Sequence, residues 1–401
     1  MPGASEPYIL IAQQDWHSDL GSNARNMAME ISKTHPVLFV NPPLDVNTII
    51  RYGGKQQVRD RMRAAFSTKK KVDYIAPDIW VHTPATICIS INWLKSESLF
   101  NKVNQANAYS FFRSIKKAIK HLGWAASDCV VFNDSQMFAG VYVNRFLQPR
   151  QNFYYIRDNL VHHPYFQRHG SRIEPITIKN ATAVFTNSSY LSDYAKHYNN
   201  ESLNIGQGCE LEMYDPTLLH PEPKDLESIP HPRIGYTGFL TGERLDIQLL
   251  EQLAENNKGW QWILIGPEEI MFQQSKLHDM KNVHFLGSKN TGALPSYLAH
   301  IDVCINPQLV NELTIGNYPR KIDEYLAMGK PVVATTTPAM KMFLPHVHLA
   351  AGAEDYAKAI RTVIDSHSTE KAKAAILFAK SHSWKNCIKK IFKKQIELLN
   401  D

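Results

Sequence analysis

The sequence predicts an α/β protein of two doubly wound, Rossmann-like domains facing a cleft, with a C-terminal helix crossing back. Three observations lead there. The chain opens with an apolar run, a helix-patterned segment and a second apolar run within about 35 residues, the start of a parallel α/β sheet. The alternation restarts after "HPEPKDLESIPHP" (His220–Pro232), a stretch rich in proline and acid that reads as an inter-domain connection. The length, 401 residues, is too much for one ordinary core and suits two. With 44% apolar and 20% charged residues, the composition is globular rather than disordered or fibrous.

"YILIAQ" (Tyr8–Gln13) reads as the first buried strand. A polar loop with Asp15, His17 and Gly21 follows, then a helix from about Asn23 to Thr34, then the strand "VLFVNPP", stopped by its prolines. "DIWVHTP", "CVVFND", "NFYYIRD" and "ATAVFTNS" continue the series, each a short apolar run ending in polar or turn residues. In open α/β sheets ligands bind outside the carboxyl ends of strands, which singles out the first loop together with Asp134, Asp158 and Asn187. Past the connection, "PRIGYTGFL", "WQWILIGP", "VHFLG", "HIDVCINP" and "PVVAT" read as strands, and "LDIQLLEQLAEN" as an amphipathic helix. The expected division is an N-terminal α/β domain over 1–220, a C-terminal α/β domain over 221–375, and a basic amphipathic helix over 376–401; the resemblance described below makes the first the acceptor-binding domain and the second the nucleotide-sugar donor domain.

The cysteines Cys88, Cys129, Cys209, Cys304 and Cys387 are scattered and form no CxxC, so neither a disulfide framework nor a zinc site is expected. The N-terminus lacks a basic n-region, its apolar run is too short for a signal peptide, and no stretch is apolar enough to span a bilayer. A cytoplasmic protein is the simpler expectation. Net charge is +6, unevenly spread: Arg51–Lys71 holds eight Lys/Arg and one Asp, and Glu370–Asp401 holds eight Lys against three acids. Such segments can bind anionic lipid or nucleic acid, or be solvated surface. No recognised nucleic-acid-binding motif accompanies them, and no nucleic-acid partner is expected.

"GNYPRKIDEYLAMGKPVVAT" (Gly316–Thr335) carries the densest chemistry. Pro319 suits the first turn of a helix, and Gly329 suits its C′ cap. Lys321 and Glu324 are three apart and share a face. Free N–H groups and a lysine favour an anion at the helix start, and a carboxylate at Glu324 can accept two hydrogen bonds from a vicinal diol such as a ribose. The same spacing also fits an ordinary surface helix. From the residues alone, a nucleotide-sugar transferase, an epimerase of the same architecture and a two-lobed binding protein all stay open.

The stretch "PRKIDEYLAMGKPVVAT" resembles the nucleotide-sugar motif of GT-B glycosyltransferases, and the wider pattern is similar to family 4 enzymes, especially the teichuronic-acid-type (TuaH-like) branch of bacterial surface-polysaccharide synthesis. "IGYTGFLTGERLD", "WILIGP", "NVHFLG", "LPSYLAHIDVCINPQ", "IGQGCELEMY" and "SHSW" follow that family's order. The similarity covers nearly all of 230–390 and is weaker over 1–220, where "QQDWHSDLGSNARNMAMEIS" and "YYIRDNL" carry it. The resemblance implies that Lys321 contacts the donor diphosphate and Glu324 its ribose, that Gly238 admits the phosphates, and that Arg244 is a second cation. Family 4 sites usually carry an earlier Glu where this chain has Gly316; Glu312 is out of register, and Phe239 stands where many members have Arg. Thr314 and Asn317 are candidates for the contacts that carboxylate would make.

Transfer requires a stabilised leaving group, a positioned hydroxyl and, for inversion, a base. Asp158 is the candidate base, with Asp15, His17 and Asp134 as alternatives and acceptor-side residues beside Gly21; "RDN" is also ordinary turn chemistry. The chain has no DxD triplet, so no metal and no cofactor beyond the nucleotide-sugar co-substrate is expected. Arg51–Lys71 and "INWLKSESLFNK" (Ile91–Lys102) suit a saccharide acceptor on a polyprenyl-diphosphate lipid, with peripheral contact at the inner face of the cytoplasmic membrane. The competing expectations are an epimerase and a catalytically silent nucleotide- or carbohydrate-binding protein.

Overall fold

The computed structural model describes residues 5–18, 22–66 and 72–400, and the chain divides into two compact units: 1–206 with 388–401, and 207–387. Gly21 and the lysines at 69–71 lie outside the described residues.

The strands of unit 1 are β1 (Tyr8–Ile11), β2 (Val37–Val40), β3 (Leu44–Asp45), β4 (Val72–Ala76), β5 (Ile79–His82), β6 (Ile87–Cys88), β7 (Val130–Asp134), β8 (Gln151–Ile156), β9 (Ala183–Thr186) and β10 (Ser202–Asn204). Eight form one sheet in the order β10-β9-β8-β7-β1-β2-β5-β4, parallel except for the antiparallel edge β4, and β3 pairs with β6 apart from it. The central strands are buried along their whole length, so they read as unbroken apolar runs rather than alternating ones. A long helix, Glu97–His121, starts at Ser96, whose hydroxyl accepts from Leu99 N, and lays Phe111, Phe112, Ile115 and Ile119 against Ile9, Ile11, Leu38 and Val40. The order reverses between β1 and β7, and the segments after these strands are stitched together there. Gln13 Nε2 donates to Ser135 O (2.7 Å), and Gln136 Nε2 donates to Ala12 O (3.1 Å).

Unit 2 contains β11 (Arg233–Thr237), β12 (Gln261–Ile265), β13 (Val283–Gly287), β14 (Val303–Asn306), β15 (Val332–Thr335) and β16 (Val347–Ala350), all parallel in the order β13-β12-β11-β14-β15-β16. Its order reverses between β11 and β14. The two-sheet α/β fold class is the one the sequence predicts.

Several boundaries differ from the sequence expectation, each for a packing reason. The units separate at 206/207 and again at 387/388, not at 220 and 375. The segment 220–232 is part of unit 2: Leu226 and Ile229 are buried with Ile263, Ile265 and Leu298, and the Arg233 guanidinium bonds the carbonyls of Leu226 and Ile229. Its prolines and acids signalled irregular backbone, not a free connector. The tail is two helices, Thr369–Ser381 and Trp384–Asn400, because the His382 carbonyl accepts from Cys209 N (2.9 Å) instead of continuing the helix. The second helix carries the chain from unit 2 into unit 1, where Tyr8 bonds Gln395 and Lys394 pairs with Glu201 at 2.5 Å. The first helix ends at Ile31, before Thr34.

Candidate functional site

The predicted donor residues lie at the carboxyl ends of β11 and β14, the two strands flanking the order reversal of unit 2. β11 ends at Thr237. Its backbone N–H donates to the Tyr325 hydroxyl (2.8 Å), which also meets Thr237 Oγ1 (3.1 Å). Tyr325 therefore pins the strand end to the helix Lys321–Ala327. Gly238 follows at φ +135°, where a Cβ would stand 3.0 Å from Lys321 Nζ. Gly266, at φ +151°, is closer still: a Cβ there would lie 1.9 Å from Gly238 O. These two glycines let adjacent strand ends and the lysine head share one space.

Lys321 Nζ donates to the Tyr236 hydroxyl and lies 4.0 Å from the centroid of that ring. The cation is thus held by a phenol, with the Glu324 carboxyl as its charged neighbour. Glu324, half-buried one turn on, has its carboxyl pushed up by burial, with Arg320 and Lys321 opposing that rise. The Tyr214 hydroxyl lies against Glu324 and is pushed up by burial and by that carboxyl.

The helix carrying both residues is shorter than the sequence suggests. It begins at Lys321 rather than Pro319, which sits in the preceding turn with Ile322 N donating to its carbonyl (3.0 Å). Its end matches expectation: Gly329 takes φ +65°, Gly329 N bonds Leu326 O (2.9 Å) and Lys330 N bonds Tyr325 O (3.0 Å), a Schellman closure. With seven helical residues, the dipole is a minor contributor, and Lys321 carries the positive field.

Arg244 and Asn317 are brought together. With the Asn317 amide oriented to satisfy both neighbours, it accepts from Arg244 Nη1 (2.8 Å) and donates to Leu313 O (3.2 Å). The backbone agrees, since Leu309 N donates to Arg244 O (2.8 Å). Thr314 is in the same loop, but its hydroxyl is spent on Leu309 O and Asn311, and its carbonyl accepts from Gln308 Nε2 (2.7 Å). It shapes the loop rather than presenting a free group to a sugar. Glu312 is exposed.

Sequence reasoning missed the buried centre beneath this site. Asp323, 0% exposed, accepts from the Tyr318 hydroxyl (2.7 Å), from Cys209 Sγ (3.2 Å) and from His382 Nδ1 (2.7 Å). Burial and the Asp323 charge push the Cys209 thiol well up. Gly208 lies on the Trp384 ring, where a Cβ would come within 2.1 Å. Three separate motif stretches, "IGQGC", "PRKIDEY" and "SHSW", therefore meet at one carboxylate. Their order in the sequence was visible; their convergence was not.

In unit 1 the predicted residues sit at the carboxyl ends of the neighbouring strands β1, β7 and β8. Asp134 is 1% exposed and takes Arg157 Nε at 3.1 Å. Burial pushes the Asp134 carboxyl up against the pull of Arg157, while Asp134 is the main reason the Arg157 guanidinium is held charged. Asp158 acts on both groups and is only partly buried, so Asp134, Arg157 and Asp158 form one charged cluster. Asn187 Nδ2 donates to Arg157 O (3.1 Å). Asp15 accepts from His17 N (3.0 Å) and lies 3.5 Å from Arg61 Nε; His17 is exposed. A cavity of about 180 Å³ opens beside this edge, lined by Asp45, Asn92, Asn107, Gln136 and Tyr165 among others. Both amide atoms of Asn92 are buried there without a hydrogen-bond partner. Among the described residues no group of His, Cys, Asp and Glu is arranged to hold a metal ion.

Residues 231–366 match the model of the family described as glycosyl transferases group 1, a range that holds every donor residue named above. The chain resembles glycosyl transferases over that range, and its two parallel sheets are the Rossmann-like pair of the GT-B fold. A Bacillus subtilis protein named TuaH, a teichuronic acid biosynthesis glycosyltransferase, is 28% identical over 149 residues, 36% of this chain and 37% of the relative. The match thus spans little more than a third of that relative's length. Among solved structures, sucrose-phosphate synthase of Thermosynechococcus elongatus superposes with TM-score 0.69 and 15% identity over 98% of this chain and 99% of its own. Anabaena HepE, solved in complex with UDP, does so with TM-score 0.66 and 15% identity over 98% and 100%.

Proposed function

We propose that the protein is a glycosyltransferase moving a sugar from a nucleotide-sugar donor held on unit 2 to a saccharide acceptor held on unit 1, in bacterial surface-polysaccharide synthesis. The observation that carries this is the Lys321 ammonium poised over Tyr236 against Gly238, with Glu324 one turn away, at the order reversal of the second sheet. The diphosphate lies on Lys321 with Arg244 as a second cation, and Glu324 accepts from the ribose diol. The acceptor hydroxyl oxygen forms a bond to the anomeric carbon as the sugar–phosphate bond breaks. The nucleoside diphosphate leaves with the electron pair, its charge met by Lys321 and Arg244. For inversion, the hydroxyl proton passes to Asp158. In this reading the chemistry needs no metal, since Lys321 and Arg244 supply the positive field. HepE was solved with UDP, which favours a uridine donor.

The acceptor side supports a polar ligand and an amphiphilic carrier. The unpartnered Asn92 amide faces a cavity with further amides and a tyrosine, groups that suit sugar hydroxyls. Beside it, the β3–β6 ladder joins two surface segments bearing Ile50 (75% exposed) and Trp93 (66% exposed), near Arg51, Lys55 and Lys95. A polyprenyl-diphosphate-linked acceptor and peripheral contact with the cytoplasmic face of a membrane fit that surface. No helix among the described residues is long and apolar enough to cross a membrane.

Release of free nucleoside diphosphate, measured with and without acceptor, tests the reading. A transferase releases it on acceptor addition and continues in excess EDTA. An isomerised sugar without release would mark an epimerase, and binding without turnover a silent protein. Loss of activity in EDTA restored by manganese would overturn the metal-free chemistry.

A further inference from the structure

At the opposite edge of the second sheet from the donor residues, the amino ends of β15 and β16 border an open cavity of about 370 Å³. Five basic side chains line it: Lys330 before β15, His346 and His348 around the start of β16, His367 after the helix Ala353–Ser366, and Lys371 on the helix Thr369–Ser381. No carboxylate is among its lining residues. The lysines are anchored on carbonyls rather than on counter-charges: Lys330 Nζ donates to Ala299 O (2.6 Å) and Lys371 Nζ to Ser366 O (2.9 Å).

The electrostatics agree with a site short of negative charge. Burial lowers the pKa of all three histidines, and positive neighbours lower each further: His382 for His346, Lys371 for His348, and Lys330 with Lys371 for His367. Lys330 is itself lowered by burial, with Cys304 and Asp302 opposing. His382, outside the cavity lining, is held by Asp323 at 2.7 Å. An entering anion removes this mutual repulsion. The remaining wall is apolar, with Leu344, Val363 and Ala375, and the volume suits a small molecule.

We propose that this cavity binds a phosphorylated small molecule, its phosphate among Lys330, Lys371, His348 and His367 and its body against the apolar wall. The site is separate from the donor residues, which lie at the carboxyl ends of the strands. It does not depend on the transferase reading.

The test follows the imidazole resonances of His346, His348 and His367 in the full chain, assigned through His→Gln variants, as pH is titrated. Pyrophosphate and a hexose phosphate are the probes, each against sodium chloride at matched ionic strength, because salt alone weakens like-charge repulsion. The expected result is a rise of about one pKa unit at His348 and His367 with either probe. The midpoint should weaken about tenfold in Lys371→Ala, an exposed position, and stay unchanged in Lys321→Ala. A stronger response to hexose phosphate assigns the apolar wall to the ligand's body. Shifts no larger than those with sodium chloride, or an unchanged midpoint in both Lys371→Ala and Lys330→Ala, overturn the proposal.

Discussion

The candidate residues of unit 2 and those of unit 1 are held in different ways. In unit 2 Lys321 is held by the Tyr236 phenol, and the helix that carries it is held by the Tyr325 hydroxyl and by the buried Asp323 carboxylate. In unit 1 the charges answer one another, Asp134 with Arg157 and Asp15 with Arg61, and the surface beside them is amide-rich, exposed and apolar in patches. If unit 2 takes a nucleoside diphosphate as proposed, a cation fixed in place before the ligand arrives suits that constant ligand. A site that must fit one acceptor among many is left to loops and surface.

The sharpest way to break this contrast is Asp158→Asn. If Asp158 accepts the proton, turnover falls by about 10²–10⁴ while nucleotide affinity is unchanged. Full turnover in a folded variant would return Asp158 to the turn chemistry that "RDN" also permits. Asp323→Ala attacks the supporting centre instead. It leaves His382, Tyr318 and Cys209 around a buried gap, and an unfolding free energy lower by about 3–5 kcal/mol is expected in denaturant titration. A change under about 1 kcal/mol would mean the three motifs converge without mutual support.

Much of the fold was legible because buried parallel strands leave apolar runs, unbroken in "YILI" and in "VLFV". β4 and β10 escaped, since Asp73 and Tyr74 are exposed on an edge and "SLN" is short and only partly buried. The helix Glu97–His121 also escaped: its start reads as an aromatic and basic surface run, yet Phe100 is buried and stacks on His169 at 3.8 Å. At the site, Lys321, Glu324 and Gly329 were readable because their relations are local. The Asp323 centre was not, because its partners are 114 and 59 residues away in sequence.

A smaller effect sharpens the comparison from the side of unit 1. Glu174 is 1% exposed, accepts from Tyr154 (2.8 Å) and Tyr194 (3.3 Å), and burial pushes its carboxyl to about 7. The folded state then holds a proton that the unfolded state releases near its ordinary, lower value. Stability should therefore fall as pH rises from about 4.5 to about 7 and level off above it. Glu174→Gln should flatten that slope and raise stability at pH above this window by of order 1–3 kcal/mol. An unchanged slope in the variant would show that another group titrates there.

The central claim is that unit 2 holds a nucleoside-diphosphate sugar on Lys321. Thermal denaturation of wild type and Lys321→Ala with UDP-, GDP- and ADP-sugars tests it most directly, since a ligand that binds only the folded state raises the midpoint. The account predicts that one nucleotide class raises the wild-type midpoint, and that Lys321→Ala, folded as before, needs roughly 10–100 times more ligand for the same rise. No rise with any of the three, or equal rises in both proteins, would contradict it.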